Sequence, residues 1–139
     1  MGEERLHLTL ANRLDALEPA RQAMAAFLAP ATLPPQVVFK LELVLEETFM
    51  NLIWHAFKDA AEHTIELTVQ LQPDEVALSF EDDGIAFDPT QAAEPPFPAS
   101  LLDAPIGGRG LMLLRRTARS ISYQRRDGLN RLRVAVARV

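Results

Sequence analysis

The sequence contains no cysteine and no apolar run long enough to cross a membrane. The absence of cysteine excludes disulfides and cysteine-based metal sites, which fits a reducing cytoplasm. A membrane-spanning helix needs roughly 20 consecutive apolar residues. The charged first residues, Met1–His7, are also unlike a secretory signal peptide. We therefore expect a soluble cytoplasmic protein with no direct membrane contact.

An excess of positive charge is also missing, because the formal net charge is −5. This balance argues against direct binding to nucleic acid. The charge is unevenly distributed: from Arg109 onward there are nine arginines and one acid, Asp127. Two interpretations stay open, namely solvated arginines on strands and a last helix, or arginines that meet phosphates or an acidic partner.

The length and composition indicate one domain that spans residues 1–139. Apolar residues make up 48% of the chain, which is enough for a core and argues against disorder. One segment, Pro89–Gly107, is rich in proline and small residues, so it is predicted to be a long irregular loop. Loops of this length inside a compact domain are usually functional lids or disordered.

Hydrophobic periodicity and turn signals give a consistent order of elements. Two predicted hairpins imply a largely antiparallel sheet whose helices cover one face, which is an α+β two-layer sandwich. The first helix should bury Leu14, Leu17, Met24 and Phe27 or Leu28, and the second helix should be largely buried. The predicted strands are Arg5–Leu10, Thr64–Leu71, Val76–Phe80, Ser120–Arg125 and Leu129–Val139, and the predicted helices run from Asn12 or Asp15 to Leu28, from Pro34 or Pro35 to Phe57, and from Gly110 to Arg119.

Three polar residues recur every four positions on the second helix: Glu47, Asn51 and His55. This spacing places them on one stripe of the helix. Polar groups on a buried helix are costly unless they have partners. They form either a satisfied polar seam between helices or a metal or phosphate site.

A second candidate lies where the strand through Phe80 ends. Strand alternation predicts that Asp82 points inward with Phe80, whereas Glu81 and Asp83 point outward. An inward carboxylate followed by Gly84 suits recognition of a ligand's exocyclic amine, because glycine lets the backbone approach a flat ring. Asp-Gly is also common in ordinary turns.

A third candidate is the glycine-rich stretch that leads into the last helix. Gly107, Gly108 and Gly110 would present free backbone N–H groups at a helix N-terminus, which is an anion site. The stretch lacks the Lys-Ser/Thr of a Walker loop and the setting of a dinucleotide-binding fingerprint. These glycines could equally cap or bend the preceding loop.

Together these residues resemble the GHKL superfamily of ATP-binding domains, which share the Bergerat fold. Glu47 and Asn51 match the E-x-x-x-N box, and His55 extends it as in the anti-sigma-factor kinases. Asp82 and Gly84 match the D-x-G-x-G box. The G-x-G box is matched by Gly108, Arg109, Gly110 and Leu111. The resemblance covers nearly the whole chain, and the length favours the stand-alone RsbW/SpoIIAB type.

The resemblance implies roles for these residues. Asn51 would ligate Mg²⁺, Asp82 would accept a hydrogen bond from the adenine amine, and Glu47 would be the general base. His55 would either orient the site or satisfy the core. The phosphates of ATP or ADP would meet Gly108, Arg109, Gly110 and Leu111, with residues 89–107 as the ATP lid.

The resemblance also implies partners and a reaction. Proteins of this type bind a sigma factor and phosphorylate a serine of a STAS-domain anti-anti-sigma factor, and a homodimer is expected. The sequence departs from the family at Ala86, which replaces the second glycine of the D-x-G-x-G box, and residues 90–106 contain no Lys or Arg. These departures favour an alternative: a non-catalytic ATP-binding module that holds a protein partner.

Overall fold

A computed structural model describes residues 4–57, 61–86 and 115–139. Strands β1 (Glu4–Ala11), β2 (Thr64–Leu71), β3 (Glu75–Asp82), β4 (Ser120–Arg126) and β5 (Leu129–Ala137) form one sheet in the order β1-β2-β3-β5-β4. Every neighbouring pair is antiparallel. Two α-helices are described, α1 (Leu17–Leu28) and α2 (Pro35–His55), with short 3₁₀ turns at Leu14–Ala16 and Ala29–Ala31. The predicted α+β architecture with an antiparallel sheet is confirmed.

The helices pack on one face of the sheet, and the core lies between these two layers. Alternation along each strand sends one set of side chains towards the helices, such as Leu67 of β2, Leu78 of β3 and Val134 of β5. Met24 of α1 and Phe49 of α2 are fully buried against them. Because β3 is the middle strand, the residues at its end lie halfway across that end of the sheet.

The opposite face of the sheet is polar and carries cross-strand ion pairs. Arg131 of β5 donates to Glu81 of β3 at 2.6 Å, and Arg133 donates to Glu75 at 2.9 Å. On the edge, Nε2 of His7 lies 2.7 Å from Glu66. These pairs show that several of the C-terminal arginines balance acids of the same sheet, which supports the first of the two interpretations for them.

Three details of the first helix differ from the sequence prediction. The α-helix begins at Leu17, after a 3₁₀ turn, and neither Asn12 nor Asp15 caps it. Instead, Oδ1 of Asn12 accepts a hydrogen bond from the backbone N–H of His63, so Asn12 joins the ends of β1 and β2. Leu14 is 52% exposed, so its assignment to the core is wrong.

The second helix is buried on its inner side, and two of its large apolar side chains lie at the surface. Phe39 and Trp54 are 67% and 47% exposed. The helix ends at His55 rather than Phe57, with Ala56 as its C-cap residue. The carbonyl of Ala56 accepts a hydrogen bond from the loop after β3. The last helix is described only from Arg115, and it ends at Thr117 rather than Arg119.

The closing hairpin turns at Asp127-Gly128, as predicted. Both residues have positive φ, 55° and 79°, which matches the right-handed twist of a two-residue hairpin. The last strand ends at Ala137, after which Arg138 donates its N–H to the carbonyl of Asp74. In the described part of the chain, no helix is both long and apolar enough to cross a membrane.

Candidate nucleotide site

The loop after β3 is attached to the end of α2. The backbone N–H of Ile85 donates to the carbonyl of Ala56 at 2.7 Å. A Cβ placed on Gly84 would lie 2.4 Å from that carbonyl oxygen and 2.8 Å from the Ala56 methyl. Glycine is therefore required here by the helix, in addition to any reason that a ligand supplies.

This attachment brings two of the predicted motifs together. Asn51 lies five residues before Ala56, which is about 7.5 Å along the helix axis, and Glu47 is one turn further. Asp82 lies two residues before Gly84, at the end of the central strand. The stripe on α2 and the end of β3 thus border the same region of the molecule.

Asp82 points towards the helices, as strand alternation predicts, and it is 3% exposed. Its Oδ1 accepts two hydrogen bonds, from the backbone N–H of Gly84 at 2.8 Å and from Nδ2 of Asn130 at 3.0 Å. Neither of these donors uses Oδ2. Burial raises the pKa of the Asp82 carboxyl above its usual range, and the hydrogen bonds from Asn130 and Gly84 act against that rise.

Asn51 is buried on α2, and its amide has no partner among the described residues. Neither Oδ1 nor Nδ2 makes a hydrogen bond there, although the side chain is 3% exposed. Leaving a buried amide unpaired costs roughly 1–3 kcal/mol. Such a group is typical of a ligand site, since a bound oxygen or cation supplies the missing partner. The carboxamide oxygen is also a ligand type that Mg²⁺ accepts.

Glu47 is half-buried, one helical turn before Asn51. Burial, with a smaller contribution from the charge of Glu46, raises the pKa of Glu47 above its usual range. A carboxylate with a raised pKa is a better proton acceptor than an exposed one, which is the property that a general base needs.

The structure does not cover every predicted site residue. Backbone geometry places His55 as the last residue of α2, and its side chain lies outside the described part. Gly108, Arg109, Gly110 and Leu111 also lie outside the described residues, as does the predicted lid at 89–107.

Asn130 is a site residue that the sequence analysis missed. It is buried beside Asp82, because the register of β3 and β5 places the two residues directly opposite each other. Alternation along β5 contained the signal: Asn130 shares the inward face with Leu132 and Val134, so a polar residue there needs a partner. The sequence analysis included it only within the predicted strand Leu129–Val139.

Two residues of β4 complete a hydrogen-bond network around Asn130. The hydroxyl of Tyr123 donates to Oδ1 of Asn130. Arg125 also donates to that oxygen, at 3.0 Å, and to the carbonyl of Gly84, at 2.8 Å, both through Nη1. The loop after β3 is therefore held from α2 on one side and from the last hairpin on the other.

Comparison with known proteins shows the family of the chain. Residues 10–136 match the family described as histidine kinase-like ATPase domain. The chain belongs to that family. The match includes Glu47, Asn51 and Asp82 as well as the stretch from Gly108 to Leu111.

A curated relative is the serine/threonine-protein kinase BtrW of Bordetella bronchiseptica. It is 46% identical over 94 residues, which are 68% of this chain and 66% of the kinase. The chain thus spans slightly less than two thirds of that relative.

Two solved structures share the fold at 15% identity. The RsbU and RsbW domains of Rv1364c from Mycobacterium tuberculosis superpose with a TM-score of 0.68 over 98% of this chain and 33% of theirs. The histidine kinase domain of the blue-light activated kinase EL346 from Erythrobacter litoralis superposes with a TM-score of 0.54, over 89% of this chain and 60% of its own. Both confirm the fold of the histidine kinase-like ATPase domains.

Proposed function

We propose that this protein binds ATP with Mg²⁺ and acts as a serine/threonine-protein kinase of the anti-sigma-factor type. The observation that carries the proposal is the attachment of the loop after β3 to the end of α2 through Ile85 and Ala56. It joins a buried carboxylate that is suited to reading a base, Asp82, to a helix whose buried amide, Asn51, needs a partner.

In this proposal each described residue has one task. Asp82 accepts a hydrogen bond from the exocyclic amine of adenine, and its orientation is held by the bonds to Oδ1. Gly84 keeps the loop close to α2 and to the base. Asn51 contributes its carboxamide oxygen to Mg²⁺. When bound, that cation supplies neutralisation of phosphate charge.

Glu47 accepts the proton of the substrate serine hydroxyl, and its raised pKa suits that task. His55 follows on the same stripe of α2 and orients the site. The phosphates meet Gly108, Arg109, Gly110 and Leu111, and residues 89–107 close over the nucleotide as a lid. Orientation and charge neutralisation supply most of the acceleration, because phosphoryl transfer needs little covalent help from a protein.

The substrate and partners follow from the same resemblance. The phosphate acceptor is a serine of a STAS-domain anti-anti-sigma factor, and the alternate partner is a sigma factor, so that the reaction regulates transcription without direct contact to nucleic acid. The relative BtrW is a serine/threonine-protein kinase, which supports this proposal. We expect a cytoplasmic homodimer in which residues 1–139 of each chain include the kinase domain.

A second candidate function is a non-catalytic module that binds ATP and holds a protein partner. The observation in its favour is Ala86, an exposed residue at the position where the family motif has its second glycine. A methyl group there would narrow the space beside the nucleotide.

The experiment that separates the two begins with calorimetry of ATP and Mg²⁺ binding to the wild type. Wild-type protein is then incubated with [γ-³²P]ATP, Mg²⁺ and a purified STAS-domain protein, with Glu47→Gln as the matched control. Phosphoserine on the STAS protein in the wild-type reaction alone supports the kinase. Saturable ATP binding without transfer to any STAS protein from the same genome supports the non-catalytic module. No ATP binding overturns both.

A further inference from the structure

Asn130 has only one possible amide orientation in this structure. The guanidinium of Arg125 is a donor only, so the atom of Asn130 that faces Nη1 at 3.0 Å must be the carbonyl oxygen Oδ1. The backbone carbonyl of Ile85 is an acceptor only, so the atom 2.8 Å from it must be the amide nitrogen Nδ2. The two constraints come from opposite ends of the carboxamide, and they agree.

This orientation determines which atom Asp82 meets. Nδ2 of Asn130 donates both to the carbonyl of Ile85 and to Oδ1 of Asp82, at 3.0 Å. The backbone N–H of Gly84 donates to the same Oδ1 at 2.8 Å. Two donors on Oδ1 fix the rotation of the carboxylate, and Oδ2 is the oxygen that neither of them uses.

We propose that Tyr123 and Arg125 are positioning residues for base recognition, which fix the carboxamide of Asn130 so that it holds Oδ1 of Asp82 and leaves Oδ2 for the exocyclic amine of the nucleotide. This inference rests on the proposed function, because it concerns the carboxylate that reads the base. Neither β4 residue needs to touch the ligand. Both act through Asn130, and Arg125 also acts directly on the loop through the carbonyl of Gly84.

The network has features expected of a positioning device. Asn130 and Asp82 are both buried, so water competes little for their hydrogen bonds. The contacts join β4, β5 and the loop after β3. In each of them a hydrogen-bond donor faces an acceptor. A carboxylate held in one rotamer discriminates between ligands better than a mobile one, because the cost of ordering it has already been met in the fold.

The test compares two nucleotides that differ only in the exocyclic amine of the purine. ATP carries the 6-amino group, and purine riboside 5′-triphosphate lacks it. Affinities of both are measured by calorimetry, with Mg²⁺, for wild type, Tyr123→Phe, Arg125→Met and the double variant. Tyr123→Phe keeps the ring in the core and removes only the hydroxyl, and Arg125→Met keeps most of the apolar stem and removes the donors.

Arg126→Met is the matched control. Arg126 is the next residue of β4, and its side chain lies on the opposite face of the sheet, where it lines a concavity with Glu81 and Arg131. Like Arg125→Met, this variant removes one positive charge from β4. Any effect of net charge on the phosphates therefore appears in the control as well.

We expect each single variant to lower ATP affinity roughly 3- to 10-fold, which is the range of one hydrogen bond, with a larger loss in the double variant. The affinity of these variants for purine riboside 5′-triphosphate should not change. Arg126→Met should keep the wild-type ratio of the affinities for the two nucleotides. If a variant loses the same affinity for both nucleotides, or if its ratio of ATP affinity to purine riboside 5′-triphosphate affinity equals that of wild type, the positioning role is overturned. Failure of the wild type to bind ATP overturns the proposed function and this inference with it.

Discussion

Nδ2 of Asn130 lies 3.0 Å from Oδ1 of Asp82, across the register that pairs β5 with β3. This contact joins two buried polar residues that are 48 positions apart in sequence. Oδ1 of the carboxylate accepts hydrogen bonds from the protein, and in our proposal Oδ2 is the oxygen that meets the nucleotide. We expect measurable effects of Asp82 on nucleotide specificity, on the stability of the protein and on the pH dependence of that stability.

Asp82→Asn should reverse the preference for the group at position 6 of the purine. The carbonyl of the new side chain keeps the bonds from Gly84 and Asn130, so its NH₂ takes the place of Oδ2. This NH₂ opposes the amine of ATP and complements the 6-oxo group of ITP. We expect the ratio of ATP to ITP affinity, measured by calorimetry, to fall roughly 10- to 100-fold. An unchanged ratio would show that Asp82 does not read the base.

The same substitution should stabilise the protein at neutral pH. Because burial raises the pKa of Asp82 in the folded state, the folded protein binds this proton more tightly than the unfolded chain. The stability that Asp82 contributes is present below the unfolded pKa and is lost as pH rises through the folded pKa.

Asparagine does not titrate, so the free energy of unfolding of Asp82→Asn should exceed that of wild type by an amount that grows as pH rises from the ordinary range of an aspartate. Urea unfolding followed by circular dichroism from acid to neutral pH measures this difference. Asp127→Asn in the β4–β5 turn is the control, because that residue is exposed and asparagine tolerates its left-handed backbone. A difference that shrinks with rising pH would contradict the prediction.

Glu47→Gln should keep ATP affinity and lower phosphoryl transfer by roughly 10²- to 10⁴-fold. Wild-type transfer should increase with pH through the raised pKa of Glu47, because only the ionised carboxylate accepts a proton. Glu46→Gln removes a neighbouring negative charge that raises this pKa. In the pH–rate profile of Glu46→Gln, the increase in transfer rate with pH should therefore occur at lower pH than in wild type. Transfer by Glu47→Gln at the wild-type rate would exclude a general-base role.

Asn51→Leu should remove the Mg²⁺-dependent part of ATP affinity without destabilising the protein. The amide of Asn51 has no partner among the described residues, so an apolar side chain of similar size removes an unpaired buried group rather than a hydrogen bond. Thr48→Val is the matched control, since Oγ1 of Thr48 is also buried on α2 without a partner in the described part. Calorimetry with and without Mg²⁺, together with thermal unfolding, checks both variants. A marked loss of stability in Asn51→Leu alone would indicate a structural role.

Gly84→Ala should weaken both the fold and ATP binding. The new methyl would lie 2.4 Å from the carbonyl of Ala56, so the loop must move away from α2, at a cost of roughly 1–3 kcal/mol. Gly128→Ala is the comparison, because a Cβ added there meets no described residue other than its chain neighbours within 4 Å, and only the positive φ is strained. We expect Gly128→Ala to lose stability and keep ATP affinity. Equal ATP affinity in both variants would show that Gly84 is not part of the nucleotide site.

Much of the fold followed from local patterns. Alternation in Thr64–Leu71 predicted β2 to the residue, and the same rule placed Asp82 on the inward face. Asp127-Gly128 predicted the last hairpin. The errors concern exposure and ends. Leu14 is solvent-exposed, since an apolar residue becomes buried only where another element covers it. The helix α1 begins later and α2 ends earlier than predicted.

The sequence by itself determined the order of strands and helices, the direction of Asp82 and the three motifs that indicate a nucleotide site, because each depends on residues within a few positions of one another. The tertiary structure decided what lies between the motifs. The contact of Gly84 with Ala56 and the bond from Asn130 to Asp82 join residues 28 and 48 positions apart. No local pattern encodes such contacts, since they form only when β3, β5 and α2 have packed around one core.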